Sequence, residues 1–246
     1  MEGLTVLSIF FIALCYGSAL VFLAGFLAKI YGYANTPSPL KIPTTPAPTS
    51  GLGVAGRMAG EVLLFTSLFK GNKWTWLGGY LFHIALAAVL LRHLRYFLDP
   101  VPLPVYLMSF PGLEPGVWAG VIMVLALGYL FVRRLAVDRV RYISILEDYF
   151  ALALIGLIGL TGLLMKFFIR ADVEGIKEFT LGLATFHPAN IPPDPLFMLH
   201  LLLVLALLVY FPFSKLMHLG GIFFSPTRTQ VDDSRDVRHV NPWAKE

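Results

Sequence analysis

The chain has 246 residues, of which 57% are hydrophobic and only 14% charged, with a net charge of +4 and a mean hydropathy of +0.73. Soluble domains carry about 25% charged residues, so an ordinary soluble enzyme is excluded, and so is a disordered chain. The single cysteine, Cys15, excludes a disulfide framework, a four-cysteine iron–sulfur cluster and a c-type haem attachment. What remains is an all-α integral membrane protein.

A membrane span needs about 20 mostly apolar residues. Five stretches qualify: Leu4–Ile30, Trp76–Phe97, Val117–Val132, Ile145–Ile169 and Leu196–Leu216. The third is the shortest and crosses if Leu135 and its neighbours extend it. The first carries Glu2 where a signal peptide would carry basic residues, and it is too long for one, so it reads as an uncleaved span. Fourteen of the nineteen Lys and Arg residues fall in the first loop, the third loop and the C-terminal tail. By the positive-inside rule the N-terminus is outside and the C-terminus cytoplasmic. The basic charge is thus a matter of topology, and nucleic acid is not an expected partner.

The first loop begins with a proline-rich run from Thr36 to Pro48, which is extended and has no core of its own. After it, Met58, Val62, Phe65 and Phe69 fall on one face of a helix too short to span. That predicts a cytoplasmic interfacial helix, serving either as a lipid-facing anchor or as a docking surface. The expected layout is a five-helix membrane domain over 1–225, including the 36–74 loop, and a polar cytoplasmic tail over 226–246.

Four of the six histidines sit inside spans: His83 and His93 in the second, His200 and His218 in the fifth. Ionisable residues at membrane depth are costly and point to function. A lone intramembrane histidine also serves as a helix–helix hydrogen-bonding group. Two on each of two spans form a different pattern, because neutral imidazole is a good iron ligand and an apolar bundle suits a porphyrin. Four ligands make two bis-histidine haems. The two spans run in opposite directions, so His83 pairs with His218 near the cytoplasm and His93 with His200 near the outside. On a continuous helix His200 and His218, eighteen residues apart, share a face at about 3.6 residues per turn. His83 and His93 differ in height by about 15 Å along their helix, against about 27 Å for His200 and His218, a mismatch that tilt, side-chain reach or a bend at Pro212 would absorb. Arg92 and Arg95 beside His93 are candidates for pairing with haem propionates; an interfacial arginine is the alternative.

These residues resemble a known family. Phe82-His83-Ile84 with His93, and His200 with Phe211-Pro-Phe-Ser-Lys215 and His218, resemble the gamma subunit of respiratory nitrate reductase. So do Thr185-Phe-His-Pro188 and the basic stretch from Arg133 to Arg141. The long proline-rich loop with Gly60–Lys73, and the tail ending Asn241-Pro-Trp243, resemble instead the membrane cytochrome b subunit of the complex associated with dissimilatory sulfite reduction and its heterodisulfide-reductase-like relatives.

The resemblance implies two haem b groups with the same histidine pairing. It implies menaquinol or menaquinone as substrate beside the outer haem, in a prokaryotic cytoplasmic membrane. His187 is the candidate for hydrogen-bonding the quinol and taking its proton, with Lys166, Arg170 and Asp194 as weaker candidates. It further implies a cytoplasmic iron–sulfur subunit as partner, with additional membrane and periplasmic cytochrome subunits, and a role in dissimilatory sulfur metabolism. Three alternatives stay open: a haem-free anchor, a nitrate-reductase-type quinol oxidase subunit, and a proton-relay transporter. The last is opposed by the lack of carboxylates at depth beside the histidines.

Overall fold

A computed structural model describes residues 3–37, 42, 43, 45–233 and 235–237. Lys41, part of the proline-rich run, and the tail from Arg238 onward, with Asn241–Trp243, lie outside the described residues. Every regular element is helical among those described. The chain divides into two compact units, Met1–Val21 with Leu77–Tyr210 and Phe22–Trp76 with Phe211–Glu246.

Helix α1 spans Val6–Asn35 and starts where the Thr5 hydroxyl accepts the Ser8 N–H at 3.1 Å. Helices α2 (Gly51–Leu64) and α3 (Thr66–Gly71) occupy the first loop. Helix α4 (Lys73–His93) starts on an Asn72 cap and continues through a 3₁₀ turn to Tyr96. After the short α5 (Leu103–Leu107) come α6 (Pro115–Ala136) and the single-turn α7 (Asp138–Tyr142). Helix α8 (Leu146–Leu164) runs into a π-turn over Met165–Ile169. Helices α9 (Val173–Ala184) and α10 (Pro195–Tyr210) are capped by Asp172 and Asp194, and the short α11 (His218–Gly221) and α12 (Pro226–Thr229) follow. Five helices are long and apolar enough to cross a membrane: Val6–Asn35, Lys73–Tyr96, Pro115–Ala136, Leu146–Ile169 and Pro195–Phe213. The third reaches past Leu135, as its length required. Their outward side chains, Leu20, Leu27 and Leu125 among them, are exposed and apolar, as a lipid-facing surface must be.

In the first unit, α6 packs against α8, and Phe82 and Ala85 of α4 join Ala119, Met123, Ala126 and Leu127 of α6 in one buried cluster. The helices approach closely because Gly159 of α8 faces Met123 and Val124; a Cβ there would stand 2.7 Å from the Val124 side chain. At one end Arg134 clamps the start of α8, donating to Ser144 at 2.8 Å and pairing with Asp148 at 3.3 Å. A second cluster centres on the fully buried Phe179 of α9, with Phe11, Ile176, Ile191 and Phe197. Helix α9 is amphipathic, so its apolar face enters this cluster while Glu174 and Glu178 face out. Thr180 ties α9 to the end of α4 by donating to the Tyr96 carbonyl at 2.7 Å.

The second unit holds two departures from expectation. The interfacial helix read as continuous through Phe65 is broken there: Phe65 has φ 52° and separates α2 from α3. Of the four residues expected on one face, Met58 and Phe65 are half-buried while Val62 and Phe69 are exposed, and the side chains of Glu61 and Trp76 redirect the backbone. The Glu61 carboxylate accepts from the Ser67 hydroxyl and the Ser67 N–H, which starts α3, and Trp76 Nε1–H donates to the Leu64 carbonyl at 2.8 Å. Likewise α10 stops at Tyr210, and Phe211–Phe213 and Lys215–Met217 are 3₁₀ turns before α11 begins at His218. The face shared by His200 and His218 on a continuous helix therefore does not exist. Pro212 supplies no N–H and its ring opposes the preceding turn, and it seats against Gly25 of α1, where a Cβ would lie 2.7 Å from the Pro212 side chain.

Candidate functional site

The histidine pair of the first unit is built from three helices. His93 ends α4, and its Nδ1–H donates to the Val89 carbonyl one turn back at 2.7 Å. His200 lies in α10, with Nδ1 2.9 Å from the Thr161 hydroxyl of α8. The two ring centroids are 6.5 Å apart and the ring planes 13° from parallel. Two imidazole nitrogens each about 2 Å from one shared metal ion put the ring centres about 6 Å apart. A carbonyl can only accept, so His93 carries its proton on Nδ1 and keeps a lone pair on Nε2, the form that ligates a metal.

Small and aromatic residues frame the pair. Gly162, next to Thr161, leaves the His200 ring room; a Cβ there would sit 3.4 Å from Cε1. Tyr96 lies 5.9 Å from His93, ring centre to ring centre. The Arg92 side chain lies on Gly116 at the start of α6, where a Cβ would come within 2.5 Å of it, and its Nε is buried without a hydrogen-bond partner among the described residues. Arg95 stacks its guanidinium on Tyr96 at 5.5 Å.

The other two candidate histidines belong to different units. His83 of α4 donates from Nδ1 to the Gly79 carbonyl at 2.7 Å and lies against Phe82. His218, at the start of α11 and exposed, has Nδ1 2.9 Å from the Lys215 carbonyl. Both rings are therefore set in the same tautomer as His93, with the lone pair on Nε2.

The remaining candidates are dispersed. His187 is exposed in the loop after α9, with Nδ1 2.8 Å from the Thr185 carbonyl. That loop is pinned to the start of α1, since Ser8 accepts from Ile191 N–H at 3.0 Å and Asn190 accepts from Thr5 N–H at 2.9 Å. Lys166 lies in the π-turn and pairs with Glu114 at 2.5 Å. Arg170 closes that turn at φ 53° and is exposed. Asp194 caps α10, accepting from the N–H groups of Leu196 at 2.9 Å and Phe197 at 3.3 Å.

His218, expected within the fifth span, lies beyond the apolar helix, which ends at Phe213. Residues 65–231, which include His83, His93, His187, His200 and His218, match the family model described as the nitrate reductase gamma subunit. The chain belongs to that family. It is 39% identical to the Hdr-like menaquinol oxidoreductase cytochrome b-like subunit of Archaeoglobus fulgidus, over 96% of this chain and 83% of the relative. It is 35% identical to the protein of the same description from Archaeoglobus profundus, over 95% of this chain and 82% of that one. The likeness to these two subunits thus extends along nearly the whole chain.

Two members of the site were not legible from the histidine pattern. Gly116 gave no sign of its contact with Arg92, which depends on a tertiary approach. Thr161 did leave a trace: it is the one hydroxyl residue between Ala151 and Leu164, and such residues in a span usually bind across helices.

Proposed function

We propose that this membrane subunit is a dihaem cytochrome b that passes electrons between menaquinol near its outer haem and a cytoplasmic iron–sulfur subunit of an Hdr-like complex. The observation that carries the reading is the His93–His200 pair, two near-parallel rings at 6.5 Å. His93 and His200 would hold one haem b, and His83 and His218 the other. Haem iron held by two histidines would supply one-electron transfer.

The chain's own residues do the rest. Val89, Gly79 and Lys215 carbonyls hold the Nδ1 protons and so fix the rings for ligation. Arg92, with a buried donor left unsatisfied, and Arg95 fit the propionates of the outer haem. His187 keeps Nε2 available to accept a hydrogen bond and a proton from a quinol hydroxyl, which couples quinol oxidation to proton release on that side. The basic first and third loops and tail orient the chain with its C-terminus in the cytoplasm, where α2 and α3 form an interfacial segment for the iron–sulfur partner. The likeness to the Archaeoglobus subunits, described as parts of an Hdr-like menaquinol oxidoreductase, supports menaquinol as electron donor and partner subunits in a complex. In this reading the partners include further membrane and periplasmic cytochrome subunits, and the complex serves sulfur metabolism.

The test is reduction of the purified complex by a menaquinol analogue, followed in the b-haem α band. The reading expects rapid reduction that His187→Ala slows without lowering haem content. A protein that carries no haem is instead a membrane anchor, and one whose haems stay oxidised under quinol takes its electrons elsewhere.

A further inference from the structure

Of the four candidate haem histidines, three have a ring partner within their own chain turn: Val89 for His93, Gly79 for His83, Lys215 for His218. His200 differs, because its Nδ1 reaches across to Thr161, thirty-nine residues away on α8. Thr161 is buried, and its hydroxyl also lies 2.9 Å from the Leu157 carbonyl and 3.0 Å from the Ile158 carbonyl. A threonine hydroxyl has one proton and two lone pairs. Both carbonyls can only accept, so the single proton is engaged by α8 itself and the oxygen is left to accept from His200 Nδ1–H.

The geometry points to Thr161 as the positioning residue of His200: the hydroxyl, committed as a donor to its own helix, holds the His200 ring with Nε2 turned toward the metal that His93 shares. This rests on the haem reading given above. The consequence is electronic as well as geometric. A hydrogen-bonded Nδ1–H makes the imidazole a stronger donor, which favours ferric over ferrous iron and lowers the potential of that haem. It also makes the outer site sensitive to α8, whose next turn is the π-turn bearing Lys166.

The experiment is a redox titration of the full-length protein in its complex, with low-temperature EPR of the oxidised haems, for wild type, Thr161→Val and Thr161→Ser. Valine keeps the volume and removes the hydroxyl; serine keeps the hydroxyl and removes the methyl. The expected result is a positive shift in potential and altered g values for one haem only in Thr161→Val, with wild-type values restored in Thr161→Ser. Loss of one haem in Thr161→Val and its retention in Thr161→Ser supports the same role. Unmoved potentials in Thr161→Val, equal shifts of both haems, or the same defect in both variants overturns it. Absence of haem in the wild type would overturn the underlying haem reading instead, so the two failures are distinct.

Discussion

His93 and His200 meet across helices α4 and α10 with ring centroids 6.5 Å apart and planes within 13° of parallel. If they share one iron, they act as a unit and their losses are not additive. His93→Ala and His200→Ala should each remove one haem, and the double variant should remove no more than either alone. Haem counting on the three proteins checks this.

Packing beside the site is tight in places and open in others, so glycine replacements should differ in sign. A Cβ at Gly116 would meet Arg92 Cβ at 2.8 Å and the Met108 carbonyl at 2.9 Å, whereas Gly128 in the same helix has nothing within 4 Å. Gly116→Ala should destabilise by about 1–3 kcal/mol through overpacking. Gly128→Ala should be neutral or stabilising by up to about 1 kcal/mol through helix propensity. Thermal unfolding in detergent measures both.

Asp194 offers a clean separation of structural and chemical roles. As the N-cap of α10, it should cost about 0.5–2 kcal/mol of stability when changed to alanine. Asp194→Ser, which can still cap, should restore stability. If Asp194→Ser instead abolishes quinol-driven reduction at normal haem content, the carboxylate serves the quinol.

The α2–α3 junction carries a pH signature. Burial raises the pKa of Glu61, but hydrogen bonds from the Ser67 hydroxyl and N–H and the Thr66 hydroxyl, with Arg228 nearby, outweigh it and hold the carboxyl below its usual range. A depressed carboxylate contributes stability in full above its unfolded value and loses it as pH falls through the lower folded value. Glu61→Gln should therefore speed hydrogen exchange at the Ser67 amide near neutral pH, relative to wild type at the same pH. The difference should vanish once Glu61 is protonated.

How much of this was readable beforehand depends on the kind of signal. The five spans follow from apolar run length, which a bilayer enforces strongly. The break at Phe65 does not, because Met58, Val62, Phe65 and Phe69 keep helical spacing right through it. The deciding contacts, Glu61 with Ser67 and Trp76 with Leu64, are side-chain bonds to the backbone that periodicity cannot register. Pro212 was legible as a bend, yet it ends the helix altogether, with two 3₁₀ turns before His218. The four histidines stood out because charge-capable residues are rare at depth. Thr161, which orients one of them, is the less conspicuous half of a contact between residues distant in sequence.

The most direct measurement is a reduced-minus-oxidised spectrum with pyridine haemochrome quantitation on the wild type, His83→Ala and His93→Ala. The account predicts two b haems per chain in the wild type and one in each variant, with the remaining haem different in the two. No haem, or a haem that is indifferent to both histidines, would contradict it.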